Sequence, residues 1–343
     1  MTEIIKINAA APEKDKIEAA ARIIKNGGLV AFPTETVYGL GADATDESAA
    51  KKIYAAKGRP SDNPLIIHIA KPEDAELYAH TNGLYYKLAK AFMPGPLTVI
   101  LPKKDTVPAS VTGGLDSVAL RCPSHTIAKA LIASAGRAIA APSANLSGSP
   151  SPTCAEHVIA DMTGRVDMII DGGGCEIGLE STIVKLDGDE AVLLRPGGIT
   201  YDALLCVLPE LSVSHAVTEA LSEGERPLSP GMKYRHYAPS APLILLDGAD
   251  SDVLSFMINA QREENCAIIC YDEDAVSLSG KNLIKIGAKD DLASQANTLF
   301  SALRSCNSLD VDIIYAHLPS KDGIGLALYN RMIRAAAHTV KKL

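Results

Sequence analysis

The chain has 343 residues, of which 47% are hydrophobic and 22% charged, a composition that allows more than one hydrophobic core. The 41 acidic and 33 basic side chains give a formal net charge of −8, which disfavours a protein that binds a nucleic-acid backbone by itself. No apolar stretch approaches the ~20 residues of a membrane helix, and the start lacks the pattern of an export signal. These features predict a cytoplasmic protein of two domains that does not enter a membrane.

The cysteine pattern argues against both disulfides and zinc. Seven cysteines are scattered through the chain, an odd number without an export signal. Cys266 and Cys270 flank an apolar run that is typical of a strand, where both side chains face the same side of a sheet. Because no second pair has zinc-site spacing, we predict that these two pack in a core.

Apolar runs that alternate with amphipathic stretches predict a mixed α/β domain over 1–208. Its first helix is predicted at 12–26, ended by Gly27 and Gly28, and a strand follows at 29–32. After a loop at 33–41, Thr45 is predicted to cap a second helix that ends near Lys57. Further strands are predicted at 65–69, 97–102, 117–122, 138–142, 168–171, 181–186 and 191–195, and further helices at 82–92, 125–135 and 153–162.

The segment 209–240 loses this periodicity, and its prolines and glycines predict a linker. Beyond it, the region 241–343 again alternates strand-like and helical patterns. Strands are predicted at 242–246, 266–271, 283–286 and 311–316, and helices at 250–262, 289–305 and 323–340. This rhythm predicts a small doubly wound, Rossmann-like domain with a parallel sheet.

Residues suited to anion binding occur without a glycine-loop fingerprint. Neither G-x-x-x-x-G-K-[ST] nor G-x-G-x-x-G is present, so a nucleotide would be held by side chains and scattered loop amides. Lys57 and Arg59 supply a point charge and a forked donor for phosphate, although basic residues at a helix end also complement the helix dipole. Ser143, Asn145 and Ser147 follow a predicted strand, where ligands gather in α/β folds.

Two arginines and a glycine-rich segment extend this pattern. Arg121 and Arg195 each end a predicted strand, which in an acidic chain favours an anionic ligand. The segment 171–182 holds several glycines, which permit close backbone approach or a positive φ. Ligand loops and simple hairpins both use such segments, so the glycines alone leave the choice open.

Five separated motifs, taken in order, resemble the YrdC-like family of threonylcarbamoyl-AMP synthases. They are F-P-T-E-T-V-Y-G-L-G at 32–41, K-G-R-P-S-D-N-P-L-I-I-H at 57–68, A-P-S-A-N-L-S-G at 141–148, E-S-T-I-V at 180–184 and L-R-P-G at 194–197. The further segment S-P-G-M-K-Y-R-H-Y-A-P at 229–239, followed by another domain, resembles the long form of this family.

The resemblance implies a concave, twisted α/β catalytic domain and a defined reaction. In this family L-threonine, bicarbonate and ATP are joined into threonylcarbamoyl-AMP, and pyrophosphate is released. A separate tRNA threonylcarbamoyltransferase complex then uses the product to modify the adenosine beside the anticodon. Contact of this chain with tRNA is therefore expected to be weak or indirect.

The resemblance also implies roles for the matching residues. Those expected around threonine are Thr36, His68, Arg121, Ala141 and Ser181. Those expected to contact ATP are Arg59, Asn63, Ser117, Ser143, Ser151, Arg195, Tyr234 and Tyr237, the two tyrosines as part of a lid formed by the linker. Those expected to act in catalysis are Lys57, Arg59, Ser143 and Asn145.

The chemistry implied by the family needs a closed, dry pocket, because a carbamate made from threonine and bicarbonate is labile in water. Lys57, Arg59 and Arg195 are expected to neutralise charge on the departing pyrophosphate. We expect Mg²⁺ to arrive with the ATP phosphates, since the sequence shows no cluster of carboxylates to hold it.

Two other functions stay open at this point. One is an RNA-binding module of the same fold, in which Lys51, Lys52, Lys57 and Arg59 hold RNA directly. The other is an enzyme that forms a carbamoyl-adenylate from carbamoyl phosphate. A pocket made by Thr36, His68 and Ser181 has no purpose in the second case, because no amino acid takes part.

Overall fold

The N-terminal part of the protein is built on one large mixed sheet. The computed structural model describes residues 1–219 and 237–343. The strands of this sheet are β1 (Glu3–Lys6), β2 (Val30–Phe32), β3 (Gly39–Asp43), β4 (Ile66–His68), β5 (Leu97–Pro102), β6 (Ser117–Arg121), β7 (Ile139–Ala140), β8 (Met168–Asp171), β9 (Thr182–Asp187), β10 (Glu190–Arg195) and β11 (Ser212–Val213). Their order across the sheet is β1-β8-β2-β3-β7-β4-β6-β5-β9-β10-β11.

Seven α-helices accompany this sheet among the described residues. They are α1 (Lys14–Lys25), α2 (Glu47–Lys57), α3 (Gly83–Phe92), α4 (Ala109–Thr112), α5 (Thr126–Ala135), α6 (Ala155–Met162) and α7 (Tyr201–Leu205). The two short ones, α4 and α7, were not predicted from the sequence. In α1 the buried residues Ile17, Ala21 and Ile24 recur at helical spacing. The prediction that Thr45 caps α2 is wrong by one residue, because the Asp46 carboxylate accepts the hydrogen bonds from the first amides of the helix.

The C-terminal part is the predicted doubly wound domain. Its strands are β12 (Leu243–Asp247), β13 (Cys266–Cys270), β14 (Leu283–Lys285), β15 (Ile313–His317) and β16 (Val340–Lys342), and its helices are α8 (Asp250–Glu263), α9 (Leu292–Ser305) and α10 (Gly325–Ala335). The strands pair in parallel in the order β14-β13-β15-β12-β16. One apolar cluster joins the sheet to α8 and another joins it to α9 and α10, so helices cover both faces.

Four strands escaped the sequence analysis. β3 begins inside the range 33–41 predicted as a loop and was not predicted, because its sequence G-L-G-A-D carries no β-branched or aromatic signal. Its glycines make room for a neighbour: a Cβ on Gly41 would lie 2.7 Å from the Phe32 ring. β1 and β16 are short edge strands, and β11 lies within the range predicted as a linker. The described residues 209–219 are thus partly packed on the sheet.

The two faces of the large sheet differ in what packs against them. On one face, Ile67 and Leu120 pack in the main apolar core with α2 and α3. On the other face, Ile66 and Ala119 belong to a small apolar cluster. Because side chains alternate along a strand, the last residues of β4 and β6 point to this second face, where polar groups gather.

The two parts of the chain are in contact through apolar and polar groups. Val37 of the N-terminal part packs in the apolar cluster of α9 and α10. Asn297 of α9 donates hydrogen bonds of 2.8 Å to the carbonyls of Cys175 and Glu176. In the glycine-rich segment it is Gly178 that lets α9 approach, because a Cβ there would lie 2.5 Å from the Asn297 Cα. Cys266 and Cys270 are buried in the apolar cluster of α8, which confirms core packing.

Among the described residues, no helix has the length and apolar character needed to cross a membrane.

We predict that Gly178→Ala destabilises the protein more than Gly173→Ala does. Both glycines have a positive φ, of 78° and 88°, which costs alanine about 1 kcal/mol. A Cβ on Gly178 would also lie 2.5 Å from the Asn297 Cα, whereas none of the neighbours of Gly173 lies within 4 Å. Overpacking at Gly178 should therefore add about 1–3 kcal/mol, measured by thermal or urea unfolding. Equal stability of the two variants would contradict the close approach of α9.

Candidate active site

One cavity gathers most of the side chains that the sequence singles out. The predicted site residues that line it are Thr36, Lys57, Arg59, His68, Arg121, Ala141, Ser143, Asn145, Ser151, Ser181, Arg195 and Tyr237. Its lining also includes Val37, Ile66, Pro142, Ser147, Gly148 and Glu180. Motifs that are far apart in the chain therefore meet at a single place.

Two predicted ATP contacts are not among the residues that line the cavity. Asn63 is buried behind Arg59, and its carbonyl accepts a hydrogen bond of 3.2 Å from Arg59 Nε. The carbonyl of Pro64 accepts a second one, of 3.0 Å, from the same guanidinium. Ser117 begins β6 and lies at the opposite end of that strand from Arg121. The structure thus gives Asn63 a supporting position and does not bring Ser117 to the cavity.

Strand register places His68 and Arg121 side by side at one end of the cavity. They are partners in the parallel pairing of β4 with β6. A guanidinium nitrogen of Arg121 lies 2.9 Å from a carboxylate oxygen of Glu35, and both side chains are buried. Arg121 Nε and His68 Nδ1 are also buried, and neither has a hydrogen-bond partner among the described residues. Two orphaned nitrogens at adjacent positions indicate a place for a polar ligand.

The charges at this end follow from burial and from Arg121. Burial favours the neutral form of Glu35, but the charge and hydrogen bond of Arg121 outweigh it and hold the pKa of this carboxyl below its usual value. For His68, burial and the nearby Arg121 charge act together and lower the pKa to about 3. Glu35 is therefore an anion and His68 is neutral at physiological pH.

A tight turn fixes Thr36 at the same end. The Thr34 hydroxyl accepts hydrogen bonds from the amides of Thr36 and Val37, both at 3.2 Å, and donates one of 2.6 Å to the Val37 carbonyl. Ala141 contributes only its methyl group and main chain, and its amide already donates to the Ile66 carbonyl at 2.8 Å. The Thr36 hydroxyl contacts the Thr34 hydroxyl at 2.9 Å, and this turn places Thr36 in the cavity wall.

In another part of the cavity wall, Lys57 forms hydrogen bonds with the loop that follows β7. Its ammonium group donates to the carbonyls of Ser143 and Asn145, at 2.5 and 2.6 Å, and reaches Asn145 Oδ1 at 3.4 Å. Burial, helped by the nearby Arg59 charge, lowers the pKa of Lys57 well below its usual value. The three N–H donors of this side chain are thus taken up by the loop.

The loop itself is tied by short polar contacts. The Ser143 hydroxyl donates to Asn145 Oδ1 at 2.5 Å. The Asn145 amide nitrogen donates to the carbonyls of Leu146 and Ser149, at 2.7 and 2.8 Å. These bonds give the segment one defined shape, with Ser143 at the cavity wall.

A strand irregularity turns Arg195 into the cavity. The register of β10 against β9 shifts between Leu193 and Arg195, which is a β-bulge. Leu193 lies in the main core, so strict alternation would have sent Arg195 there too. Arg195 instead donates to the carbonyl and the hydroxyl of Ser181, at 3.0 and 3.1 Å, and that hydroxyl also contacts Thr98 at 2.7 Å. Burial lowers the pKa of Arg195 to about 10.

Tyr237 is the part of the predicted lid that the structure describes. It lines the cavity, its backbone has a positive φ of 63°, and its ring packs on Phe300 of α9 with centroids 5.1 Å apart. Tyr234, and with it Lys233 and Arg235, lies outside the described residues.

Comparison with known proteins agrees with this arrangement. A family model described as "Telomere recombination" matches residues 22–197, and one described as "Threonylcarbamoyl-AMP synthase, C-terminal domain" matches residues 199–337. A threonylcarbamoyl-AMP synthase of Pyrococcus abyssi is 45% identical over all of both chains. One of Bacillus subtilis is also 45% identical, over 95% of this chain and 94% of that protein. The chain belongs to the threonylcarbamoyl-AMP synthase family.

A solved structure extends the likeness to three dimensions. The crystal structure of P. abyssi Sua5 complexed with L-threonine is 44% identical, covers all of both chains and has a TM-score of 0.91. The predictions of a YrdC-like fold with an additional C-terminal domain and of an adenylate-forming enzyme are therefore confirmed. This family is named for a product that requires nucleotidyl transfer.

The sequence analysis missed two acidic residues at the site, Glu35 and Glu180. Glu35 pairs with Arg121, and Glu180 lines the cavity beside Ser181. Both lie inside motifs that were recognised, so their position was available as a signal. An acidic side chain by itself gives no signal for an anion site, so the sequence alone does not assign them a role.

Metal ligands from the protein are scarce at the site. The described residues contain no group of three or more His, Cys, Asp or Glu side chains that could hold a metal ion. Glu180 is the carboxylate that lines the cavity in this part of the chain, and it is engaged by Arg331 at 2.8 Å.

We predict that His68 makes stability fall as the pH drops below about 6.5. The folded protein keeps His68 neutral, with a pKa of about 3, whereas the unfolded chain takes up a proton near pH 6.5. The stabilising contribution is thus complete above pH 6.5 and is lost as the pH falls toward 3, at about 1.4 kcal/mol per unit. Urea unfolding of wild type and His68→Asn at pH 6.5 and 5 should show a wild-type loss that is larger by about 2 kcal/mol. Equal losses of stability in wild type and His68→Asn would contradict a neutral, buried His68.

Proposed function

We propose that this chain condenses L-threonine, bicarbonate and ATP into L-threonylcarbamoyl-AMP and pyrophosphate. The observation that carries the proposal is one cavity whose wall holds two unlike sets of side chains. One set is a paired arginine, a neutral histidine and a threonine hydroxyl, which suit an amino acid. The other set is Arg59, Arg195 and the Ser143 hydroxyl, which suit phosphate groups.

The proposed threonine site uses the orphaned nitrogens. One terminal nitrogen of the Arg121 guanidinium pairs with the Glu35 carboxylate. The buried Nε of Arg121 has no partner among the described residues, so it can bind the threonine carboxylate. His68 is neutral and therefore adds no competing charge, and a pKa of about 3 makes it a hydrogen-bonding group and a poor base. Thr36 and Ser181 offer hydroxyls for the threonine amine or hydroxyl, and P. abyssi Sua5, whose structure contains L-threonine, supports this pocket.

The proposed chemical step is displacement at the α-phosphorus of ATP. The threonine amine forms a bond to the carbon of bicarbonate and water leaves, which gives a carbamate, and one carbamate oxygen then forms a bond to the α-phosphorus. The bond between this phosphorus and the bridging oxygen breaks, and pyrophosphate leaves with the electron pair. Arg59 and Arg195 bind the phosphate oxygens, so they stabilise the charge that develops on the leaving group. No covalent enzyme intermediate is needed.

Lys57 takes part in this proposal as a positioning residue. Its three donors hold the loop of Ser143 and Asn145, so they are not left for phosphate. By fixing the loop, Lys57 places the Ser143 hydroxyl in the cavity wall before the substrates arrive.

Magnesium enters the proposal as part of the MgATP substrate. Glu180 is tied to Arg331, and phosphate oxygens and water satisfy most of the octahedral sites that Mg²⁺ prefers. The ion would neutralise part of the phosphate charge when bound.

Several wider parts of the function belong to the same proposal. The linker closes over the nucleotide through Tyr237, and the reaction takes place in the cytoplasm. The product is passed to a tRNA threonylcarbamoyltransferase complex, and tRNA contact is weak or indirect. A net charge of −8 supports a protein that delivers a small molecule.

The proposed function is tested by following the label from ¹³C-bicarbonate in reactions with threonine and ATP. We expect a labelled threonylcarbamoyl-AMP by mass spectrometry, and pyrophosphate release that needs threonine and bicarbonate but not tRNA. Release that requires tRNA would favour the RNA-binding alternative. Product formation from carbamoyl phosphate without threonine would favour the other carbamoyl-adenylate chemistry.

We predict that Arg121→Lys selectively weakens threonine use. Lysine keeps a positive charge beside Glu35, so the folded state is preserved, but it loses the fork that binds the threonine carboxylate. One charge-assisted hydrogen bond of about 1.5–3 kcal/mol corresponds to roughly a tenfold to hundredfold rise in KM for threonine. Steady-state kinetics should show KM for ATP unchanged within about twofold. A rise confined to the KM for ATP would contradict a contact between Arg121 and threonine.

A further inference from the structure

A buried arginine of the C-terminal domain reaches the wall of the cavity. Arg331 lies on α10 and is fully buried. Its Nε donates to Glu180 Oε2 at 2.8 Å, and another guanidinium nitrogen donates to the Glu180 carbonyl at 3.3 Å. The remaining one donates to Asn330 Oδ1 at 2.8 Å. The fork of Arg331 is thus directed at one residue of the other domain.

Glu180 connects this arginine to the predicted ATP contacts. It lines the cavity, and its second oxygen accepts a hydrogen bond from the Ser151 hydroxyl. Burial disfavours the charged form of Glu180, but Arg331 first and Arg195 second hold its pKa below the usual value. A carboxylate therefore stays ionised in a wall that has to receive phosphate groups.

The charge balance of this wall depends on Arg331. Glu180 and Arg195 alone carry one negative and one positive charge, which sum to zero. With Arg331, the three groups carry a net charge of +1. The carboxylate of Glu180 is then paired with an arginine of α10. Because Glu180, Arg195 and Arg331 are all buried, water screens this difference poorly and it acts strongly on a polyanion.

We propose that Arg331 is a positioning residue through which the C-terminal domain gives the cavity its affinity for ATP. By engaging Glu180, Arg331 offsets the one carboxylate in the described cavity wall and orients it so that its other oxygen holds Ser151. The inference rests on the proposed function, since it takes the ligand at this wall to be a nucleoside triphosphate.

Docking of the two domains does not explain this ion pair by itself. A buried ion pair seldom adds net stability compared with apolar residues, because both groups lose their water. Other contacts already hold the interface: Arg304 forms a forked pair with Asp161 at 2.7 and 3.2 Å, and Arg334 donates to the Ala216 carbonyl at 2.6 Å. The Asp161 and Ala216 groups that accept these bonds do not line the cavity.

The test compares four variants of the full-length protein. Arg331→Met removes the charge, and Arg331→Lys keeps it. Arg331→Met with Glu180→Gln removes both charges of the pair. Arg334→Met is the matched control, because it removes an arginine from the same helix and the same interface. The measurements are the Kd for ATP by calorimetry, KM for ATP and threonine, and thermal unfolding.

We expect Arg331→Met to weaken ATP binding by roughly tenfold or more, with KM for threonine unchanged within about twofold. Arg331→Lys should stay within about threefold of wild type, and the double variant should recover most of the lost ATP affinity. Arg334→Met should lower the unfolding temperature without a selective effect on ATP.

Two results would overturn the inference. One is ATP binding by Arg331→Met that equals wild type. The other is a double variant or a lysine variant as weak as Arg331→Met, which would make the arginine a structural contact only. Wild-type protein that binds no ATP would instead refute the proposed function, so the two failures are distinguishable.

Discussion

The burial of charged groups around one cavity is the constraint on which the rest of the structure depends. An unpaired charge taken out of water costs several kcal/mol, so each such group has to meet an opposite charge or polar main-chain atoms. Arg121 meets Glu35 at 2.9 Å, Lys57 meets the loop after β7, and Glu180 meets Arg331. Because these partners come from distant segments, charge pairing fixes the segments relative to one another.

This constraint explains how the proposed nucleotide site can be built without a glycine-loop fingerprint. A phosphate-binding loop gathers its donors within a few residues, whereas here β-sheet register, the bulge before Arg195 and the ammonium group of Lys57 bring them together. The donors are held before substrates arrive, so little ordering remains to be done on binding. The C-terminal domain belongs to this arrangement, since α10 supplies one of the buried charges.

The sequence predicted the elements with strong periodicity well, and β5 and β8 have the predicted limits. It missed β3, because the small residues of this strand allow close packing against Phe32 but have low strand propensity. The motifs gave most of the cavity residues but not the roles of Glu35 and Glu180, which make sense only beside their arginines. Arg331 could not be found, because its partner Glu180 is 151 positions away and α10 carries no sharp motif.

The central claim is that one hollow holds an amino acid beside Arg121 and a triphosphate beside Arg59. The most direct measurement is a crystal structure of the protein with L-threonine and a non-hydrolysable ATP analogue. The account predicts the threonine carboxylate within hydrogen-bond distance of Arg121 Nε, and phosphate oxygens against Arg59, Ser143 and Arg195. Electron density that places the two compounds in separate regions of the molecule would contradict it.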